Sequence, residues 1–264
     1  MGLFDFGETG DCYNSGFESL LYVDGEPFQG VDTNHREVLF DGLEGRTVRL
    51  TFMLWTGLEG GGVHRDFYHR MKEADLGYLH RKADELYYYG KAITETLQLL
   101  SPEDDDYIEL KRLFERVLDY IDWDEEFFYE TAEAAHGVLM EGIARLEKRS
   151  RVNINVVGHT HIDVAWLWRT KHTREKAVRS FSTALRMMDR YEEFTFLQTQ
   201  PQLYQYIKQD QPALYEKIKE KIKDGRWEPD GGMWVEADCN IPSGESLVCL
   251  LYTSPSPRDT ERSR

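Results

Sequence analysis

Cysteine is scarce in this chain: Cys12, Cys239 and Cys249 are the three in 264 residues. They form no C-x-x-C pair, and so odd and scattered a set excludes a disulfide framework and points to a reducing compartment. Basic charge is short as well. The 32 Lys and Arg face 48 Asp and Glu, a net charge of −16, which argues against nucleic acid or an anionic membrane as partner. No apolar run approaches the roughly 20 residues that span a bilayer. The amino terminus has no basic stretch followed by an apolar one, so it does not read as a signal peptide. A soluble, cytoplasmic protein is expected. What is present is core material, with 41% hydrophobic and 13% aromatic residues. The length allows one large domain or two to three modest ones.

The chain divides by pattern. Residues 1–60 read as a partial β-sandwich: Phe17–Val23 alternates into the turn Asp24-Gly25, and Glu26–Gly30, Arg36–Phe40 and Thr47–Phe52 follow. Gly60, Gly61 and Gly62 mark a boundary. Residues 61–150 read as helical. Leu76, Leu79, Ala83, Leu86, Gly90, Ile93, Leu97 and Leu100 recur at spacings of three and four, the seam of a packed helix. A second helix is expected to start at Ser101-Pro102-Glu103-Asp104 and a third to run from Asp124 to Lys148, with Tyr87, Tyr88 and Tyr89 packing. Residues 151–248 read as strand 152–158, a helix around 165–190, strand Phe194–Leu197, a helix Gln202–Lys223, and a strand-like segment from Trp227 to Val235. Strand and helix alternating in this way open a parallel α/β sheet or barrel. The fold class expected is α+β and multi-domain: a partial β-sandwich, a helical segment, then the first βα units of the barrel.

Residues 249–264 stand apart. Cys249–Asp259 resembles the in-frame translation of a sequencing-library adapter, so this tail is expected not to belong to the natural chain, which is cut near Val248.

Chemistry concentrates where the apolar run Val152, Ile154, Val156, Val157 meets Gly158. His159, His161 and Asp163 follow at alternate positions. On a strand, side chains two apart leave one face, so these groups converge where the strand ends. Imidazole and carboxylate are common ligands of a divalent metal, most often zinc. The bland alternative makes Asp163 the N-cap of the next helix and the histidines polar strand ends. Trp166 and Trp168 add indole faces suited to the apolar side of a sugar ring or, equally, to helix packing. Gly231 and Gly232 lead into Trp234 and Glu236, where backbone approaches closely at another strand end. The other histidines (His35, His64, His69, His80, His136 and His172) have no ligand-like spacing.

Three blocks carry a resemblance: Val157–Trp168, Gly225–Glu236 and Cys239–Val248. They resemble the amino-terminal part of the catalytic domain of glycoside hydrolase family 38 α-mannosidases, nearest the bacterial and cytosolic type. Tyr22–Gly30 and Asn34–Val38 are similar to that type's amino-terminal β domain. The resemblance implies a retaining exo-glycosidase with one zinc ion in a seven-unit α/β barrel. By position, it makes His161 and Asp163 two of the zinc ligands, Trp166 the residue that stacks on the terminal mannose, and His159 a neighbour. The zinc would orient the sugar and help distort it toward an oxocarbenium-like transition state. The partner implied is a mannose-containing oligosaccharide; a homo-oligomer is left open. No catalytic residue is carried over. The nucleophile, the acid/base and the remaining ligands belong to motifs the sequence does not reach, so the chain alone is expected to be inactive. Two other readings stand beside this one. A metal-dependent amidohydrolase would use His159 and His161 as ligands, and a non-catalytic scaffold in residues 1–150 would bind carbohydrate.

Overall fold

A computed structural model describes residues 1–7, 17–55, 70–124, 126–146, 152–166, 168–231, 233–236 and 240–253, the last four as backbone only. The expected glycine boundary at Gly60–Gly62 lies outside these residues, as do His64, His69, Cys12 and Cys239. The chain forms two compact units: Met1–Leu76 together with Asn155–Arg264, and Gly77–Ile154.

The first unit begins with β1 (Gly2–Asp5), β2 (Glu18–Val23), β3 (Glu26–Asp32), β4 (Glu37–Val38), β5 (Leu50–Trp55) and β6 (Glu73–Leu76). They make two three-stranded antiparallel sheets, ordered β4-β1-β6 and β3-β2-β5. The β2–β3 hairpin turns at Asp24 and Gly25, whose φ values of 52° and 91° suit a two-residue turn matched to strand twist. Strand alternation sorts β2 between two cores. Leu21 and Val23 join Phe4, Phe6, Phe17 and Val31, while Leu20 and Tyr22 face the core around α4 (Thr170–Arg190).

Helix α4 is apolar along Val178, Phe181, Leu185 and Met188, the stripe read from its spacing, and all four are buried. Its cationic side meets the strands. Lys176 Nζ lies 2.6 Å from both oxygens of Glu18, and Arg179 lies 2.6 Å from one of them. Further along, Thr183 accepts from the Gly30 N–H at 2.9 Å and Arg190 pairs with Asp41 at 2.6 Å. Burial lowers the Lys176 pKa, which the Glu18 contact opposes. Glu18 thus holds two largely covered cations. Glu18→Ala leaves both unpaired and is expected to cost about 1.5–3 kcal/mol, read as a lower urea midpoint; Glu18→Gln should recover part of it.

The second unit packs α1 (Arg81–Leu99), α2 (Asp105–Asp119) and α3 (Phe128–Arg145) around Leu86, Ile93, Leu113, Val117, Ala135 and Leu139. Three expectations change here. Leu76 belongs to β6, not to the helical seam, and is exposed. Helix α2 starts after Asp104 because Ser101 and Asp104 close a turn on each other first, through Asp104 N–H to Ser101 O at 2.9 Å and Ser101 N–H to Asp104 Oδ2 at 3.1 Å. The tyrosine triplet faces outward, with Tyr87 at 65% and Tyr88 at 57% exposure. Three successive helical positions sweep roughly 200°, so Leu86 and Gly90 take the inward stripe instead.

The remaining strands, β7 (Gly158–His159), β8 (Phe196–Leu197) and β9 (Trp227–Glu228), pair in parallel in that order. The described residues are therefore α+β, with seven helices, but they close no barrel. The expected strand 152–158 shrinks to its last residue: Val152, Ile154, Val156 and Val157 are all exposed. A parallel strand is stable when both faces are covered, and among the described residues nothing covers this run on the free edge of β7. The single helix expected from Gln202 to Lys223 is two, α5 (Pro201–Asp210) and α6 (Pro212–Lys223). Pro212 has no N–H to continue the first, and Gln211 breaks the path at φ −139°, ψ 66°. Helix α7 (Gly244–Thr253) starts where Ser243 Oγ accepts from Ser246 N–H at 3.2 Å, and it runs through Val248 without a break; residues 254–264 lie outside the description. No helix among the described residues is long and apolar enough to cross a membrane.

Candidate functional site

The three parallel strands end side by side, and each is followed by polar residues. β7 ends on His159 and is followed by Thr160 and His161; after β8 come Gln198, Thr199 and Gln200. Strand pairing sets His159 against Leu197, and side chains carry that register past the strands. Gln198 Nε2 donates to Thr160 O at 2.9 Å, and Gln200 Nε2 donates to Ile162 O at 2.8 Å. Both glutamines are buried, so their carboxamides substitute for ladder bonds that the backbone no longer makes. His159 joins the same ladder, its Nδ1 3.0 Å from Leu197 O.

His161 sits at the centre. Its Nε2 is 3.2 Å from Asp163 Oδ1, and its Nδ1 is 2.6 Å from Glu236 Oε2. Glu236 is also held by the Thr199 hydroxyl, which donates to Oε1, and by Gln200 Oε1, which accepts its backbone N–H at 3.4 Å. The loop that delivers it is tied to α5: Trp234 Nε1 donates to Gln202 Oε1 at 2.9 Å, and Gln202 N–H to Trp234 O at 3.2 Å. Partial burial pulls the His161 pKa down, but bonds to Glu236 and Asp163 carry it above the ordinary histidine value. Burial pushes the Glu236 carboxyl up, and its bonds to Thr199 and His161 bring it below the usual range.

Asp163 does not cap α4, whose N-cap is Arg169. Its carbonyl instead accepts from the buried hydroxyl of Thr173 at 3.0 Å. That hydroxyl also receives Ala165 N–H at 3.2 Å and Trp168 Nε1–H at 3.0 Å, which uses its one donor and both acceptor positions. Held there, the chain passes Ala165 at φ +88°, a conformation that costs a non-glycine residue energy. The result is a division of labour between the indoles. Trp168 is pinned at its N–H and covered by Lys176, 4.7 Å from its ring centre. Trp166 stands edge-on to it at 5.6 Å and remains 58% exposed.

The donor set fits part of a metal shell. Ligand atoms about 2.0–2.1 Å from a tetrahedral zinc are themselves roughly 3.3 Å apart, close to the His161–Asp163 spacing of 3.2 Å. A carboxylate on the other imidazole nitrogen, as Glu236 provides, is a common support for a metal-binding histidine. Two donors leave a four-coordinate shell incomplete, and among the described residues no group of three or more His, Cys, Asp or Glu side chains is arranged to hold a metal. Glu236 does not make a third, because it binds the opposite side of the ring from Asp163.

Glu236 is an acid near a glycine pair in the sequence, but its pairing with His161 is not readable there; nor are the roles of Thr199, Gln200 and Thr173. The Gln-Thr-Gln after β8, an echo of the His-Thr-His at the end of β7, is the available signal. The other described histidines engage locally: His35 with Asp32, His80 at the start of α1, His136 with Glu85, and His172 against Trp55.

An imidazole, a carboxylate and an open indole face at the ends of parallel strands define a class of site, one suited to a cation beside a ligand with an apolar face. Comparison with known proteins names the family. Residues 151–253, which hold all of these groups, match the N-terminal domain of glycosyl hydrolases family 38. The chain is 31% identical over 255 residues to α-mannosidase G of Dictyostelium discoideum, covering 89% of this chain and 23% of that protein. It is 31% identical over 251 residues to human α-mannosidase 2C1, covering 90% and 24%. Over 107 residues it is 42% identical to an α-mannosidase of Saccharomyces cerevisiae, covering 40% and 10%. Over residues 151–253 the chain carries the N-terminal domain of glycosyl hydrolases family 38. It spans about a quarter of the length of the first two relatives.

Proposed function

We propose that this chain carries part of a zinc-dependent, retaining α-mannosidase that removes terminal α-linked mannose from oligosaccharides. The observation that carries the reading is the family match over residues 151–253, which includes every group of the site. In this reading His161 and Asp163 would hold zinc, which supplies Lewis-acid orientation of sugar hydroxyls when bound. Trp166 offers its exposed face to the C–H side of the terminal mannose, and Thr173 and Trp168 fix the turn that presents it. His159 supports the strand ends through Leu197 and does not touch the cation. Scarce and scattered cysteine favours a reducing, cytoplasmic setting.

No carboxyl pair at the roughly 5–5.5 Å that retaining hydrolysis needs is assigned in this chain, so the 264 residues should not turn over alone. Zinc-dependent release of mannose by this chain would overturn that part. The metal assignment has its own test. His161→Ala is expected to abolish zinc binding, measured by competition with a chromophoric chelator, while His159→Ala keeps it. An amidohydrolase site would lose the metal with His159→Ala. For the sugar, saturation-transfer NMR with a mannose-terminated oligosaccharide should show contact that Trp166→Ala removes and Trp166→Phe partly restores.

A further inference from the structure

A neutral imidazole carries one proton, and which nitrogen holds it decides which nitrogen can bind a cation. Deepening the zinc reading above, and resting on it for the metal, we propose that Glu236 is a positioning residue that fixes His161 with its proton on Nδ1, so that Nε2 and Asp163 face the cation together.

The geometry assigns the roles. Glu236 Oε2 lies 2.6 Å from Nδ1 and Asp163 Oδ1 3.2 Å from Nε2; both carboxylates can only accept, so a neutral ring gives its one proton to the shorter contact, at Nδ1. Nε2 is left beside Asp163. Glu236 in turn cannot swing freely. The Thr199 hydroxyl holds its second oxygen, and its backbone N–H is bonded to Gln200, whose carboxamide reaches Ile162 O at 2.8 Å. Ile162 is the residue after His161, so the bonds form a closed circuit from the ring, through Glu236 and Gln200, back to the ring's own neighbour. Such a circuit fixes ring orientation as well as tautomer. Thr199 is held close on its far side, where Gly231 passes with no room for a Cβ. Deleting a carboxylate of this kind typically weakens metal binding about 10–100-fold.

The test uses the 264-residue chain and two readouts. Nitrogen-15 shifts of the His161 ring in the metal-free chain, at alkaline pH, report the tautomer; chelator competition reports zinc affinity. The native chain should show the proton on Nδ1. Glu236→Leu should mix the tautomers and weaken zinc by about 10–100-fold, and Glu236→Gln, whose amide oxygen still accepts, should restore the Nδ1 proton and most of the affinity. A ring protonated on Nε2 in the native chain, or an unchanged tautomer in Glu236→Leu, overturns the proposal. The two readings fail separately. If His161→Ala leaves zinc binding intact, the metal assignment falls, while the tautomer still decides the role of Glu236. If His161→Ala abolishes binding but Glu236→Leu does not weaken it, the positioning role alone falls. Should Glu236→Leu not fold, Thr199→Val releases the carboxylate at its other oxygen. A smaller change in both readouts in the same direction supports the proposal, and none overturns it.

Discussion

Trp227→Ala is expected to destabilise the first unit by about 3–5 kcal/mol, the range for removing a large aromatic from a core. Trp227 is 1% exposed at the start of β9. Its ring centre lies 4.7 Å from Phe196 and 5.2 Å from Phe181, tilted and edge-on respectively. One side chain therefore joins the sheet, α4 and α5. It also has a polar end: Nε1 donates to the Tyr204 hydroxyl at 2.8 Å, which donates in turn to Gln198 O at 2.9 Å. Burial pushes the Tyr204 pKa well up, so the phenol keeps its proton for that second bond. Trp227→Phe would keep much of the packing and lose the bond, at about 1–2 kcal/mol beyond the smaller volume change. Urea midpoints of the two variants separate the terms. Because Gln198 begins the side-chain ladder to Thr160, the alanine variant should also loosen the strand ends, seen as faster hydrogen exchange around residue 160.

The second large effect is expected at Gly231, and it reaches the site directly. Gly231 has φ +136°, where side chains are strained, and a Cβ built there would lie 2.3 Å from Thr199 O and 3.0 Å from Thr199 C. The obstacle is backbone, which cannot rotate aside as a side chain could. Strain of about 1–3 kcal/mol adds to overpacking of similar size, so Gly231→Ala should cost about 2–6 kcal/mol. The displaced residue is Thr199, whose hydroxyl holds Glu236. Zinc affinity should fall in this variant even at temperatures where it remains folded. Gly225→Ala is the control. Its φ of +70° is also positive, but open space surrounds the added methyl, so it should lose stability without losing metal.

Local pattern carried much of this protein. The Asp24-Gly25 turn, the apolar stripe of α4 and the order of strand and helix after residue 150 follow from short-range spacing, and the structure has them. Where local pattern misled, a longer-range term had won. Val152, Ile154 and Val156 alternate like a strand but have no covering layer among the described residues. The tyrosine triplet lost its place to Leu86 and Gly90, which share the inward stripe of α1. Pro212 was a local signal in plain view, and it ends one helix and begins the next.

For the strand-end cluster the boundary is clear. Local spacing put His159, His161 and Asp163 where β7 ends, since side-chain direction on extended backbone repeats every two residues. The sequence also carried the family resemblance. The resemblance already set His159 apart as a neighbour; tertiary contacts supply the partners that separate it from His161. His159 is drawn into the ladder by Leu197, 38 residues away, and His161 is gripped by Glu236, 75 residues away. Partners so distant in the chain are brought together by the parallel stacking of β7, β8 and β9, and no periodicity within one segment encodes which nitrogen of a ring they will meet.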